Sequence, residues 1–177
     1  MKEFFSFPEL INEPAARLVA SGVLLMSLLS ICLISLEVNF AWVVLLIMAY
    51  GFLARVSSGP KVSPLALLVT KFLVPKLNFD EKLVPGPPKR FAQSIGLIFS
   101  TFIFIFWLAN LHYICILLLA VLSIFAFLES VFGYCFACKV FKILIAVGLI
   151  PETICERCAV YESVSYTHLT LPTTPYV

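Results

Sequence analysis

Two stretches of this chain are almost free of charge: Leu18 to Ala54, interrupted only by Glu37, and Phe91 to Leu128, which holds no Asp, Glu, Lys or Arg. A helix needs about 20 mostly apolar residues to cross roughly 30 Å of hydrocarbon, and each stretch is nearly twice that. Each therefore reads as two spanning helices joined by a tight turn, at Glu37-Val38-Asn39 and at Asn110-Leu111-His112. With 62% hydrophobic and 12% charged residues, the chain lacks the polar side chains needed to cover a water-facing surface. The expected fold is an all-α membrane protein with four transmembrane helices near 18–36, 39–55, 91–110 and 114–132, arranged as two hairpins.

The basic residues sort to one side of such an arrangement. Lys2 and Arg17 precede the first span, Arg55 to Arg90 lie between the second and third, and Lys139, Lys142 and Arg157 follow the fourth. Neither turn holds a Lys or Arg, so the positive-inside rule puts both termini in the cytoplasm. Glu3, Glu9 and Glu13 stand where a signal peptide would be basic, so the first span is expected to stay attached. The apolar run from Cys135 to Ile150 resembles a fifth span, but Lys139 and Lys142 within it favour an interfacial helix near 136–147.

The two halves also echo each other. Pro14-Ala15-Ala16-Arg17 precedes the first span and Pro87-Pro88-Lys89-Arg90 the third. After the hairpins, Pro60-Lys61-Val62 leads to Pro75, and Cys138-Lys139-Val140 leads to Pro151. The pattern suggests a parallel tandem repeat, each unit being a hairpin followed by a short cytoplasmic helix. In the first unit that helix is expected near 64–74, capped by Ser63, opened by Pro64 and ended before Pro75. Leu65, Leu68, Phe72 and Leu73 would form its apolar stripe.

Six cysteines are present. Cys32 and Cys115 stand singly in apolar helices, where a thiol behaves as a small hydrophobe. Cys135-Phe136-Ala137-Cys138 and Cys155-Glu156-Arg157-Cys158 are paired, and three readings remain open. In the first, Cys135 and Cys138 form a reactive dithiol, activated by a helix N-terminus and by Lys139, with Cys155 and Cys158 as a relay pair. In the second, Cys135, Cys138, Cys155 and Cys158 bind a structural zinc in a non-enzymatic membrane scaffold or small transporter subunit. In the third, the thiols are reduced and unconnected.

Glu129 is the one acid within a span. It reads either as a functional intramembrane acid or as the ion-pair partner of Arg55, Arg90 or Lys139. Lys61 and Arg90 lie in Gly- and Pro-rich segments able to hold an oxyanion, although lipid headgroups already account for their charge. Those two and Glu129 are candidate residues for small-anion transport, whereas His112 reads as a polar turn residue. No phosphate-binding loop, dinucleotide fingerprint or nucleophile elbow occurs, and no folded nucleic-acid module accompanies the cations. The lipid bilayer is the expected partner.

Residues Val164 to Thr173 match a reading frame of a transposase-type sequencing adapter. Residues 163–177, including His168, are therefore read as non-native, leaving 1–162 as a single membrane domain.

Phe7-Pro8-Glu9, Asn12-Glu13-Pro14-Ala15-Ala16-Arg17, Ser58-Gly59-Pro60, Ser63-Pro64-Leu65-Ala66, Gly86-Pro87-Pro88-Lys89-Arg90-Phe91-Ala92-Gln93 and Glu129-Ser130-Val131-Phe132-Gly133 occur together in this chain. They resemble the bacterial membrane family catalogued as domain of unknown function 4395. The resemblance runs from about Phe7 to Cys158 and takes in both cysteine pairs. It implies a bacterial inner-membrane location and, by association alone, a thioredoxin-like or sulfurtransferase partner. It assigns no activity, but it turns the expectation toward thiol-redox or sulfur-handling chemistry.

Overall fold

Proline and the helix caps decide where the long helices begin and end. The computed structural model describes residues 10–77 and 82–149, and the expectations for Cys155, Cys158 and residues 163–177 lie outside them. The chain enters through a short strand, β1 (Leu10–Asn12), followed by helix α1 (Glu13–Ser35). Helix α2 (Ala41–Ser58) ends in a turn of 3-10 helix at Gly59–Lys61. A second strand, β2 (Leu83–Pro85), leads into α5 (Gly86–Leu108), α6 (His112–Phe132) and α7 (Phe136–Ala146). Among the described residues, four helices are long and apolar enough to cross a membrane: α1, α2 with its 3-10 turn, α5 and α6.

Helices α1 and α5 start more than a turn before Leu18 and Phe91, where hydropathy alone would begin them. Pro14 and Pro87 sit in the first turn, where the missing N–H has no helical partner to lose. Both helices end alike. Glu37 and Asn110 adopt left-handed backbone, with φ of 54° and 58°. The amides that follow reach back at 3.0 Å, Val38 N–H to the Leu33 carbonyl and Leu111 N–H to that of Phe106. These are Schellman closures, which satisfy terminal carbonyls and reverse the chain within a few residues.

Between α2 and β2 the chain is α-helical over Pro64–Leu68 (α3), π-helical over Val69–Leu73 and α-helical again over Val74–Leu77 (α4). The helix therefore passes Pro75 instead of stopping before it. Pro75 has no N–H to return to the carbonyl four residues earlier, and the π turn just before it, closed by Val74 N–H to the Val69 carbonyl, absorbs the mismatch. Ser63 holds the expected cap position, but its side chain makes no cap hydrogen bond. Along the expected apolar stripe, Leu68 and Phe72 are exposed.

The most extensive helix contacts join α1 to α6 and α2 to α5. Serines face each other along the first seam, with Ser27 Oγ 2.8 Å from Ser123 Oγ and Ser21 Oγ 2.6 Å from Ser130 Oγ. Small hydroxyls let helices approach closely where lipid supplies no hydrophobic drive. Buried Leu45, Met48, Ile103 and Leu119 fill the centre of the bundle. Leu25, Leu46, Phe102, Leu117 and Ile124 face outward, giving the bundle an apolar exterior. At the entrances, β1 pairs antiparallel with β2, Ile11 opposite Val84, tying the start of α1 to that of α5.

Arginine locks the far end of the first seam. Arg17 Nε donates to the Ser130 carbonyl at 3.1 Å and Nη2 to that of Val131 at 2.6 Å, capping the last turn of α6. Arg90 Nε makes a corresponding bond to the Val56 carbonyl of α2 at 3.2 Å. Charged donors on terminal carbonyls contribute about 1.5–3 kcal/mol. Arg17→Met is expected to lower the unfolding free energy by about 2 kcal/mol in a detergent titration; an unchanged midpoint would show the clamp to be ornamental.

Candidate functional site

The sequence between α6 and α7 forces the chain to turn sharply. Gly133 ends α6 in left-handed backbone, φ 65°, a conformation that costs glycine nothing, and Cys135 then takes the N-cap position of α7. Cys135 and Cys138 are free thiols, both partly buried. The stack of Phe125 on Phe136, ring centroids 5.3 Å apart, fixes the start of α7 against α6. Phe91 against Phe141, at 5.5 Å, holds α7 on α5.

The two thiols are made unequal. Hydrogen bonding from the Cys138 thiol favours the Cys135 thiolate and lowers its pKa, against burial and the Glu129 carboxylate. Lys89 and the Cys138 amide add to the lowering. Cys138, holding the shared proton, is pushed well up by that bond, then by burial and by charge on Cys135. Direct hydrogen bonding to the charged form outweighs desolvation at one sulfur and reinforces it at the other.

Glu129 pairs with Lys89, Nζ to Oε1 at 2.5 Å, and not with Arg55, Arg90 or Lys139 as the sequence led us to expect. The physical reason lies in the early start of α5. Beginning at Gly86, it places Lys89, Gln93 and Gly96 on one face, four and three residues apart, and turns that face into the bundle. The pair is largely withdrawn from solvent, with side-chain exposures of 9% and 18%. Lys139, expected to serve the thiolate, instead sits over the Tyr134 ring at 4.5 Å. Lys89 and Gln93 were thus missed as site residues, and the signal able to reveal them was Pro87, which marks the helix start.

Above the thiols lies an apolar cavity of about 330 Å³. Val23, Phe52, Gly96, Phe99, Leu122 and Phe125 line its body, while Gln93, Glu129 and Cys135 supply its polar groups. Of the other residues singled out from sequence, Arg90 is exposed and bonded to Val56, and Lys61 lines a separate cavity. Cys32 is exposed, and Cys115 is buried with its thiol 3.4 Å from the Ile103 carbonyl. Among the described residues, no three His, Cys, Asp or Glu side chains converge as a metal site; Cys155 and Cys158, the other half of the expected zinc set, lie outside them.

Neither the curated proteins nor the solved structures compared with the chain gave a match. One family model does, over residues 11–146, a span that holds all four long helices together with Cys135, Cys138, Lys89 and Glu129. The chain therefore belongs to the family described as domain of unknown function DUF4395.

Proposed function

We propose that this protein is a thiol-redox or sulfur-handling protein of the bacterial inner membrane, with Cys135 and Cys138 as its reactive pair. The observation that carries this reading is the placement of the pair: two free thiols at the start of α7, with Cys135 at the polar end of an apolar cavity that Glu129 also lines, and Lys89 close enough to favour its thiolate. A dithiol of this kind reduces a disulfide R–S–S–R′ in two exchanges. Cys135 thiolate attacks one sulfur, forming Cys135–S–S–R and expelling R′S⁻, which takes the Cys138 proton. Cys138 thiolate then attacks Cys135 sulfur and expels RS⁻, which is protonated by water, leaving the Cys135–Cys138 disulfide.

The charge rule favours a cytoplasmic location for the pair and for both termini. That compartment keeps dithiols reduced and supplies thioredoxin-like or sulfurtransferase partners. A tandem repeat is part of the proposal. It is supported by the equal lengths of α1 and α5, the matching left-handed ends at Glu37 and Asn110, and the reciprocal clamps of Arg17 on α6 and Arg90 on α2. On this reading, α3 and α7 are the interfacial helices that close the two units, and of these two helices only α7 carries the thiol pair at its start.

Thiolate is the alkylating form, so a lowered pKa means that reaction begins at lower pH. Site-resolved carbamidomethylation is expected to give Cys135 a midpoint below the ordinary cysteine value of about 8.5, while Cys138 stays slow until far more alkaline pH. Cys138→Ala removes the donor and is expected to move the Cys135 midpoint up by about 1 pH unit, the size of one charge-assisted hydrogen bond. One zinc per chain, with thiols that react only after chelation, would instead establish the four-cysteine structural site and sink the redox reading.

A further inference from the structure

Arg55 is only 5% exposed, yet its partners among the described residues are all neutral. Its Nε donates to Gln93 Oε1 at 2.8 Å, its Nη1 reaches Ser63 Oγ at 3.5 Å, and its guanidinium carbon lies 4.5 Å from the Phe52 ring centroid. A cation withdrawn from water without a counter-charge is costly. The partial negative charge at the C-terminus of α2 offsets a fraction of that cost. Glu129 attracts it from a distance, but that carboxylate is paired with Lys89 and makes no ion pair with Arg55.

Beside Arg55 is a second cavity, of about 190 Å³, also lined by Asn12, Ala15, Lys61, Lys89 and Gln93. Three cations reach it and no acidic side chain does. Lys61 is exposed and makes no ion pair among the described residues. Among the described residues, Asn12 Oδ1 is buried with no hydrogen-bond partner, and the Asn12 side chain does not cap α1. Turning the Asn12 amide over presents its NH₂ group in place of the orphaned oxygen.

We propose that this cavity binds a small tetrahedral oxyanion, a phosphate- or sulfate-type group, with Arg55 and Lys61 as its charged ligands and Asn12 as a hydrogen-bond donor. The group satisfies the buried guanidinium and the orphaned amide together, and it fits a cavity of this volume with room for water. The inference does not depend on the thiol chemistry. Its source is either a free oxyanion or the phosphate of a membrane lipid, and the two present the same oxygens.

The test uses the full chain in uncharged detergent. Thermal unfolding is followed against sulfate, against chloride at matched ionic strength, and against a short-chain phosphatidate. Saturable stabilisation by sulfate beyond chloride, about 4 °C at ten times the dissociation constant, is expected for a free anion. Stabilisation by phosphatidate alone identifies the lipid phosphate as the occupant. In either case Lys61→Ala, at an exposed position that leaves the fold intact, is expected to weaken binding about three- to tenfold, and Arg55→Gln to abolish it. Equal stabilisation of wild type and Lys61→Ala, or none by either probe, overturns the proposal whether or not Arg55→Gln folds.

Discussion

Lys89→Met is expected to lower the unfolding free energy by about 3 kcal/mol and to raise the pH midpoint for Cys135 alkylation. The first effect follows from leaving Glu129 largely buried with no counter-charge, since breaking such a pair by removing one partner costs about 3–5 kcal/mol; partial solvent access to Glu129 puts the cost at the lower end. The second follows from the cation's part in stabilising the Cys135 thiolate. Glu129→Gln separates the two effects. It also destabilises, because Lys89 is then the orphan, but it moves the Cys135 midpoint down by removing a nearby negative charge. The double variant replaces the pair with neutral groups and is expected to cost less than the sum of the two single changes, with a coupling of about 2 kcal/mol in the cycle. If both single variants moved the Cys135 midpoint in the same direction, the electrostatic assignment of this site would be wrong.

Gly96→Ala is expected to cost about 1–3 kcal/mol and to close part of the larger cavity. A Cβ at Gly96 would overlap the Phe52 ring, which packs there from α2. Phe52 is buried and also supports Arg55 through its ring face, so it cannot yield without disturbing both cavities. Gly51→Ala supplies the contrast. Its added Cβ would meet only Arg55 Nη1 at 3.6 Å, an ordinary contact, and alanine is the better helix former by about 1 kcal/mol. Detergent unfolding of the two variants should therefore shift in opposite directions. Similar gains in both would mean that the α2–α5 seam senses helix propensity and not the fit of Phe52 against Gly96.

Much of this protein was legible in one dimension because the terms involved are local. Long uncharged runs such as Phe91 to Leu128 can be stable in hydrocarbon only as helices that satisfy their own backbone, and the described residues hold four long apolar helices. Pro14 and Pro87 carried the true helix starts, although hydropathy read alone placed them later. The break expected at Pro75 did not occur, because a π turn offered another way to lose one hydrogen bond.

The site was less legible because its energetics are settled through space. Lys89 and Glu129 stand 40 positions apart, and Lys89 appears in sequence as one more cation in a basic loop. Only the packing of α5 in the bundle turns it inward, makes Glu129 its nearest counter-charge, and brings both within electrostatic reach of Cys135. The same packing buries Arg55 behind Gln93, opens both cavities, and joins α1 to α6 and α2 to α5. Hydropathy and backbone capping are properties of neighbouring residues, so the sequence alone determined the four long apolar helices and marked the paired thiols as candidates. Which charges meet, and how deeply they are buried, depends on helix faces brought together by the fold, so the tertiary structure alone decided how those thiols are made unequal.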